Sequence, residues 1–298
     1  MYLILSLCLF FLQTVHAQKD KVYQGLILDE VMVKAVAGGF DVDGFIQKVK
    51  NDTTFYKAFK SLRLQSFTLY NDIEIFDKSN EPKASYTGIS RQSVVNQCRT
   101  MQIKSEQIKG DYFTSHRNYR YYTAKLYAHL FFTQGKICNE TNIVGNGVQK
   151  GSSKYEEQLR TLIFNPGQRI SGIPGIGDNV AIFESPYVEK YNFKLSKVDY
   201  NGEECYVFRA LPKPAYKDEV VINDLKTWFR ASDFAIVARD YSLSYKTWIY
   251  DFDVEMSVKL KKHNTFLVPY EIHYKGNWHA ITKPREIARF TAIFTDFE

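Results

Sequence analysis

The chain has 298 residues, with 39 lysine and arginine side chains against 33 acidic ones and a net charge of +6 at pH 7. The basic residues are dispersed along the chain, which excludes the dense basic patch typical of nucleic-acid binding. With 22 phenylalanines and 21 tyrosines against only 8 prolines, the composition also excludes a disordered chain and favours β structure.

The first residues have the pattern of an export signal. Residues 2–15 form an apolar run that is shorter than the roughly 20 residues of a membrane-spanning helix. Val15 and Ala17 supply the small residues that signal peptidase recognises, so residues 1–17 are predicted to be a signal peptide cleaved after Ala17. No basic residue precedes the apolar run, which leaves an uncleaved anchor as the alternative. The predicted location is the periplasm or the outer-membrane surface.

The remainder is predicted to contain a β-prone lead at residues 18–40 and a single antiparallel β domain with helical insertions at residues 41–298. Cleavage would leave three cysteines, Cys98, Cys138 and Cys205. An odd number without a C-x-x-C spacing argues against a disulfide framework and against a zinc site. Buried thiols are therefore predicted, with pairing of two of the three as the alternative.

Helices are predicted near the start of the β domain. Asp43 is placed as the cap of a first amphipathic helix, and a second is predicted to begin at Thr53 or Thr54. From residue 64 to about residue 113 the apolar pattern changes to a period of two, which predicts strands. Residues 119–132 fit either element, and their spacing of apolar side chains favours a helix.

The middle of the chain is predicted to be mainly loop. Glycine-rich loops are placed at residues 145–153 and 171–179, with a helix at 154–163 between them. The second loop lacks the G-K-[ST] ending of a phosphate-binding loop, so a hinge or lid is favoured. Further strands are predicted at 193–200, 204–211, 221–230, 234–247 and 285–297.

The clearest strand spans residues 250–261, where apolar and polar residues alternate without interruption. This alternation is typical of a half-buried antiparallel strand. Residues 266–274 alternate in the same way, and matching the two apolar faces predicts a three-residue loop at 263–265. The predicted opposite pairs are Glu255 with His273 and Asp253 with Lys275.

The apolar face of these two strands is the candidate binding surface. Long strands in one twisted sheet tend to curl, which would make this face concave. Its side chains are predicted either to line a ligand cavity or to face a packed core. They are Phe252, Val254, Met256, Val258, Tyr270, Ile272 and Tyr274.

The opposite face of the same strands carries acidic groups. Asp251, Asp253 and Glu255, with His273 nearby, would be the candidates for a dispersed acid–base site of a hydrolase. Alternating acids opposite lysines are also typical of a solvated sheet face, and that interpretation is favoured. No nucleophile motif and no metal-ligand spacing is present in the sequence, so no catalytic residue, metal or cofactor is predicted.

Five short motifs follow one another along the last third of the chain, in the order of the predicted strands. They are TWF at 227–229, ARDY at 238–241, YDFDV at 250–254, LVP at 267–269 and YKGNW at 274–278. Over roughly residues 190–298 they resemble the outer-membrane lipoprotein-sorting superfamily of LolA- and LolB-like carriers. The resemblance implies a curved antiparallel half-barrel sheet with short helices as a lid over an apolar cavity that takes acyl chains.

A shorter stretch, LDEVMVKA at 28–35, resembles the strand that follows a carboxypeptidase-regulatory-like β-sandwich in exported surface proteins of Gram-negative bacteria. Pattern and resemblance together predict a mainly β protein of the α+β class. The predicted function is non-enzymatic binding of a lipid, a lipoprotein acyl chain or another apolar ligand. The alternatives are a scaffold module of an envelope complex, with an outer-membrane protein as its partner, and a hydrolase with a dispersed acidic site.

Overall fold

The computed structural model describes residues 21–142, 164–169, 179–246, 250–280 and 283–298. The predicted signal peptide, the predicted loop at 145–153, the predicted helix at 154–163 and most of the second glycine-rich loop lie outside the described residues. Within those ranges, none of the helices has the length and apolar character needed to cross a bilayer.

The N-terminal lead is mainly helical, so the prediction of a strand at 28–35 is wrong. It consists of helix α1 (Lys21–Gln24), strand β1 (Leu26–Leu28) and helix α2 (Glu30–Ala37). The Asp29 side chain caps α2 by accepting a hydrogen bond from the backbone N–H of Met32 at 2.8 Å. This cap, together with the burial of Met32, outweighs the β propensity of the three valines in α2.

Asp29 also ties α2 to the sheet, because its second carboxylate oxygen accepts from the backbone N–H of Lys197 at 3.3 Å. Replacing Asp29 with alanine removes both bonds and is expected to lower the free energy of unfolding by about 1–2 kcal/mol. Urea unfolding of this variant would be compared with Glu30→Gln, which loses only an exposed ion pair with Lys34. Equal stability of the two variants would contradict the role given to Asp29.

Three further helices follow: α3 (Val42–Asn51), α4 (Thr54–Ser61) and α5 (Tyr122–Phe131). They confirm the helices predicted from Asp43, from Thr53 or Thr54, and at 119–132, whereas the helix predicted at 154–163 lies outside the described residues. The predicted cap of α3 is wrong, since Asp41, and not Asp43, accepts the hydrogen bond from the backbone N–H of Gly44 at 2.9 Å. Short 3-10 turns lie at Leu62–Leu64, Tyr187–Lys190 and Pro214–Tyr216.

In the described residues, eleven further strands join β1 in one open sheet, which confirms the mainly β fold class with short helices. Their order is β1-β6-β7-β8-β9-β10-β11-β12-β2-β3-β4-β5, and all neighbours are antiparallel except β1 and β6. The strands are β2 (Phe67–Phe76), β3 (Pro82–Val95), β4 (Cys98–Gly110), β5 (Ile137–Cys138), β6 (Tyr191–Tyr200), β7 (Glu203–Pro212), β8 (Ile222–Arg230), β9 (Ile236–Lys246), β10 (Tyr250–His263), β11 (Phe266–Ala280) and β12 (Lys283–Thr295).

The hairpin of β10 and β11 has the predicted strands but a different register. The turn has two residues rather than three, because His263 pairs with Phe266, and Asn264 takes a φ of 52°. An extra residue, Tyr270, is inserted between the partners of Lys259 and Leu260 and restores the match of the two apolar faces. The predicted opposite pairs are therefore wrong. Glu255 pairs with Lys275, Asp253 with Asn277 and Ser257 with His273.

Two of the three cysteines form a disulfide, so the prediction of three buried thiols is wrong for this pair. Strand β5 pairs with the start of β4 and places Cys138 directly opposite Cys98, with their Cα atoms 4.0 Å apart. The pairing depends on a contact across 40 residues that the spacing of the cysteines does not reveal. Cys205 is a free, buried thiol, as predicted.

The helices cover one face of the sheet, which we call the inner face; the other is the outer face. Helix α3 packs Phe45 on Phe229, with ring centroids 5.2 Å apart. Helix α5 packs Tyr127 on Phe290 at 4.9 Å. The alternation predicted for β10 is confirmed, since Phe252 and Val254 are buried in this core whereas Asp253 and Glu255 are exposed.

Candidate functional site

Six of the seven predicted ligand-lining residues lie together on the inner face, and each is at most 3% exposed: Phe252, Val254, Met256, Val258, Ile272 and Tyr274. The strand register sets Met256 opposite Tyr274 and Val258 opposite Ile272. Tyr270 is half-buried and lies outside this core, with the Lys261 ammonium 5.9 Å from its ring. The bulge that inserts Tyr270 accounts for its separation from the other six.

Aromatic rings form much of the inner face around these residues. The rings of Tyr274 and Phe290 stack with centroids 4.6 Å apart, and Phe252 lies 5.1 Å from Trp278. Burial raises the pKa of the Tyr274 hydroxyl far above its ordinary value, so this group stays neutral. The surface is apolar but carries a few hydrogen-bonding groups.

Gly276 allows two of these rings to close over the strand. It is buried on β11 between Tyr274 and Trp278, and the indole N–H of Trp278 donates to the Tyr274 hydroxyl. A Cβ atom at position 276 would overlap that hydroxyl and lie 2.7 Å from the indole nitrogen. Glycine is therefore needed here for space.

Helix α5 is attached to the inner face by polar contacts in its first two turns. The Glu286 carboxylate of β12 accepts from the backbone N–H groups of Tyr122 at 2.8 Å and Thr123 at 2.7 Å. The negative charge of Glu286 lies at the N-terminus of α5, which is the positive end of the helix dipole, and there it stabilises the helix. One turn later the Tyr127 hydroxyl donates to the side-chain oxygen of the buried Asn71 at 2.5 Å.

Helix α4 is attached through a buried ion pair. Arg239 of β9 is 5% exposed and lies with its guanidinium 3.7 Å from the Asp52 carboxylate. The guanidinium also donates to Thr227 at 2.9 Å and covers the Phe55 ring at 4.2 Å. Burial lowers the pKa of Arg239, and the charge of Asp52 opposes that effect.

The acidic residues proposed for a hydrolase do not converge. Asp251 is ion-paired with Arg285, and Glu255 with Lys275. Burial raises the pKa of Asp253, and repulsion from Glu255 adds to the effect. Among the described residues, no group of three or more histidine, cysteine or acidic side chains could hold a metal ion.

A groove of about 570 Å³, which we call the outer groove, crosses the opposite face of the sheet. Eleven outward-facing side chains from six adjacent strands line it in two neighbouring rows. The first row is Asp224, Ser242, Glu255, Lys275, Arg289 and Glu74. The second row is Asp240, Ser257, His273, Thr291 and Asp72.

The sequence pointed to only part of the outer groove. Glu255 and His273 are candidates from the sequence, but Asp72 and Glu74 lie in β2, far from them in the sequence. They join the groove because β12 pairs with β2 and sets Arg289 opposite Glu74. That contact is between strands at opposite ends of the chain, and no local pattern signals it.

No family model matches the sequence, and no curated protein matches it significantly. Among solved structures, a LolA superfamily protein from Nitrosomonas europaea is 11% identical over 83% of this chain and 91% of its own, with a TM-score of 0.23. A DUF1329 family protein from Desulfovibrio piger is 9% identical over 83% and 93%, with a TM-score of 0.23. A protein described as an outer membrane lipoprotein-sorting protein domain from Vibrio parahaemolyticus is 8% identical over 80% and 88%, with a TM-score of 0.27. Identities and TM-scores this low establish neither a family nor a function for this chain.

Proposed function

We propose that this protein is an exported, non-enzymatic binding protein that holds a lipid or another apolar chain between the inner face and its helices. The supporting observation is the length and the packing of the helices that cover the inner face. Helices α3, α4 and α5 have only 8–10 residues each and rest on the sheet largely through aromatic rings. Moving one such helix would open an apolar surface without breaking a strand.

The chemistry of the inner face suits such a ligand. Acyl chains bind through apolar contact that has no preferred direction, and sites for them are lined by aliphatic and aromatic side chains with few polar groups. Val258 and Ile272 supply aliphatic surface, and Tyr274 and Phe290 supply rings. The absence of a convergent acid–base set among the described residues makes binding the better-supported function.

Export is supported by two features. The segment at 1–17 has the pattern of a signal peptide. The disulfide between Cys98 and Cys138 belongs to an oxidising compartment such as the periplasm. An envelope protein in that compartment would need a covered apolar face to hold a lipid in water.

Lipid extraction and mass spectrometry of the protein purified from the cell envelope would test the proposal directly. Bound lipid is expected, and after its removal a fluorescent long-chain fatty acid should bind saturably. Replacing Val258 with asparagine puts a polar group on the inner face and should weaken this binding at least tenfold, or about 1.4 kcal/mol. Ser257→Asn changes the neighbouring residue of β10, which faces the outer groove, and serves as the matched control.

Circular dichroism would first establish that both variants are folded, because an unpaired amide in the core costs about 1–3 kcal/mol. The proposal would be wrong if the wild type carried no lipid and bound no fatty acid. It would also be wrong if both variants bound the fatty acid as tightly as the wild type.

A further inference from the structure

The outer groove has features that apolar-chain binding on the inner face does not use. Its two rows contain five carboxylates, two permanent cations, one histidine and three hydroxyl groups. With His273 counted as neutral, five negative and two positive charges sum to −3, and Arg209, which pairs with Asp224 from outside the rows, reduces this to −2, whereas the whole chain carries +6. An acidic depression on a basic protein attracts cations to one place on its surface.

Charged groups around the groove are paired within the protein. Arg285 is paired with Asp251, and Lys259 binds Glu271 at 2.9 Å. Two hydrogen bonds from Lys259 and His273 outweigh the effect of burial and lower the pKa of Glu271. Lys226 of β8, which the register sets opposite Asp240, has its ammonium 4.3 Å from the Trp228 ring, so one further cation borders the groove at this end.

Inside the groove, three of the five carboxylates lack a cation at ion-pair distance in the part of the chain that the structure describes. Asp72, Glu74 and Asp240 have no lysine or arginine within 4.0 Å among the described residues. Asp224 is held by Arg209 at 2.5 Å, and Glu255 has only a loose contact with Lys275 at 3.6 Å. The unpaired carboxylates lie towards the two ends of the groove, on β2 and on β9.

The dimensions fit an extended peptide. Six strands spaced about 4.8 Å apart give the groove a length of about 24 Å, which is the span of about seven residues of extended chain. In such a chain every second side chain points the same way. A segment with lysine or arginine at alternate positions would therefore direct all of its cations into the groove.

We propose that the outer groove is a docking site for an extended, lysine- or arginine-bearing peptide segment of a partner protein. Asp72 and Glu74 would hold cations at one end and Asp240 at the other. Ser242, Ser257 and Thr291 offer hydroxyl groups to the peptide backbone between them. The site is separate from the inner face, so a lipid and the peptide would bind at the same time.

The test uses the whole protein and a fluorescein-labelled peptide of about seven residues with lysine and serine alternating. Fluorescence anisotropy should give saturable binding that weakens as salt is added, because the contacts are exposed ion pairs. The triple variant Asp72→Asn, Glu74→Gln, Asp240→Asn should bind the peptide at least tenfold more weakly. A matched triple variant, Asp43→Asn, Glu81→Gln, Asp218→Asn, removes the same charge at exposed positions outside the groove.

Equal losses in the two triple variants would mean that only the overall charge of the protein matters, and the proposal would fail. It would fail equally if an alternating glutamate–serine peptide bound as tightly, or if the lysine peptide did not bind at low salt. Fatty-acid binding should be unchanged in both triple variants, which separates this result from the proposal for the inner face.

Discussion

Replacing both Cys98 and Cys138 with serine is expected to lower the free energy of unfolding by about 4 kcal/mol. The disulfide closes a loop of 40 residues, and its loss restores to the unfolded chain the freedom that this closure removes. Strand β5 has only two residues and, among the described residues, pairs with no strand other than β4; beyond it, Glu140 is ion-paired with Arg99 and Arg63. Urea unfolding monitored by tyrosine and tryptophan fluorescence would measure the loss.

Reduction supplies the control for this prediction. Dithiothreitol should destabilise the wild type by a similar amount and leave the double serine variant unchanged. Cys205 of β7 is a free, buried thiol, and a Cys205→Ala variant should retain its sensitivity to dithiothreitol. Wild-type protein whose stability did not change on reduction would contradict the prediction.

Replacing Asp52 with alanine is expected to cost about 3–5 kcal/mol, because it leaves the Arg239 charge buried without its partner. The same carboxylate accepts hydrogen bonds from the backbone N–H groups of Thr54 at 3.0 Å and Phe55 at 3.3 Å. Its loss therefore also removes the two hydrogen bonds that Asp52, one residue before the N-cap Thr53, accepts from the first turn of α4. Urea unfolding again provides the measurement.

The ion pair of Asp52 and Arg239 predicts unequal losses of stability when one or the other partner is replaced, which a general loss of packing would not produce. Arg239→Met should cost less than Asp52→Ala, since Asp52 continues to accept the hydrogen bonds from the first turn of α4. The double variant should be more stable than Asp52→Ala alone, because no buried cation remains. Asp43→Ala, an exposed acid in the first turn of α3, is the control and should cost only a few tenths of a kcal/mol. Equal costs for Asp52→Ala and Asp43→Ala would contradict the role given to the ion pair.

Local patterns predicted those parts of the fold that depend on neighbouring residues. The alternation in β10 requires a strand with one buried face, and the spacing of Phe55 and Phe59 requires a helix. The N-terminal lead was mispredicted because its valines favour strands, whereas the cap from Asp29 and the burial of Met32 decide the structure. The capping hydrogen bond depends on the backbone geometry at the start of α2, which the secondary-structure propensities of single residues do not describe.

The register of β10 and β11 and the disulfide show a second limit. The two-residue turn and the bulge at Tyr270 together shift the opposite pairs of β10 and β11 and set Glu255 opposite Lys275. Nothing in the residue types near 270 marks an inserted residue. Cys98 and Cys138 meet only because a short strand returns to the edge of β4. Six of the seven residues predicted to line a ligand could be grouped on one face from the sequence, but the outer groove required the pairing of β12 with β2.

The position of β12 has a consequence for how the protein is made. It is the last of the twelve strands in chain order, yet it lies between β11 and β2 and connects the two parts of the sheet. Until it is synthesised, β2 and β11 both present open edges that can pair with other chains. Nascent protein would therefore remain prone to aggregation until β12 has been synthesised and would gain from a chaperone that shields those edges.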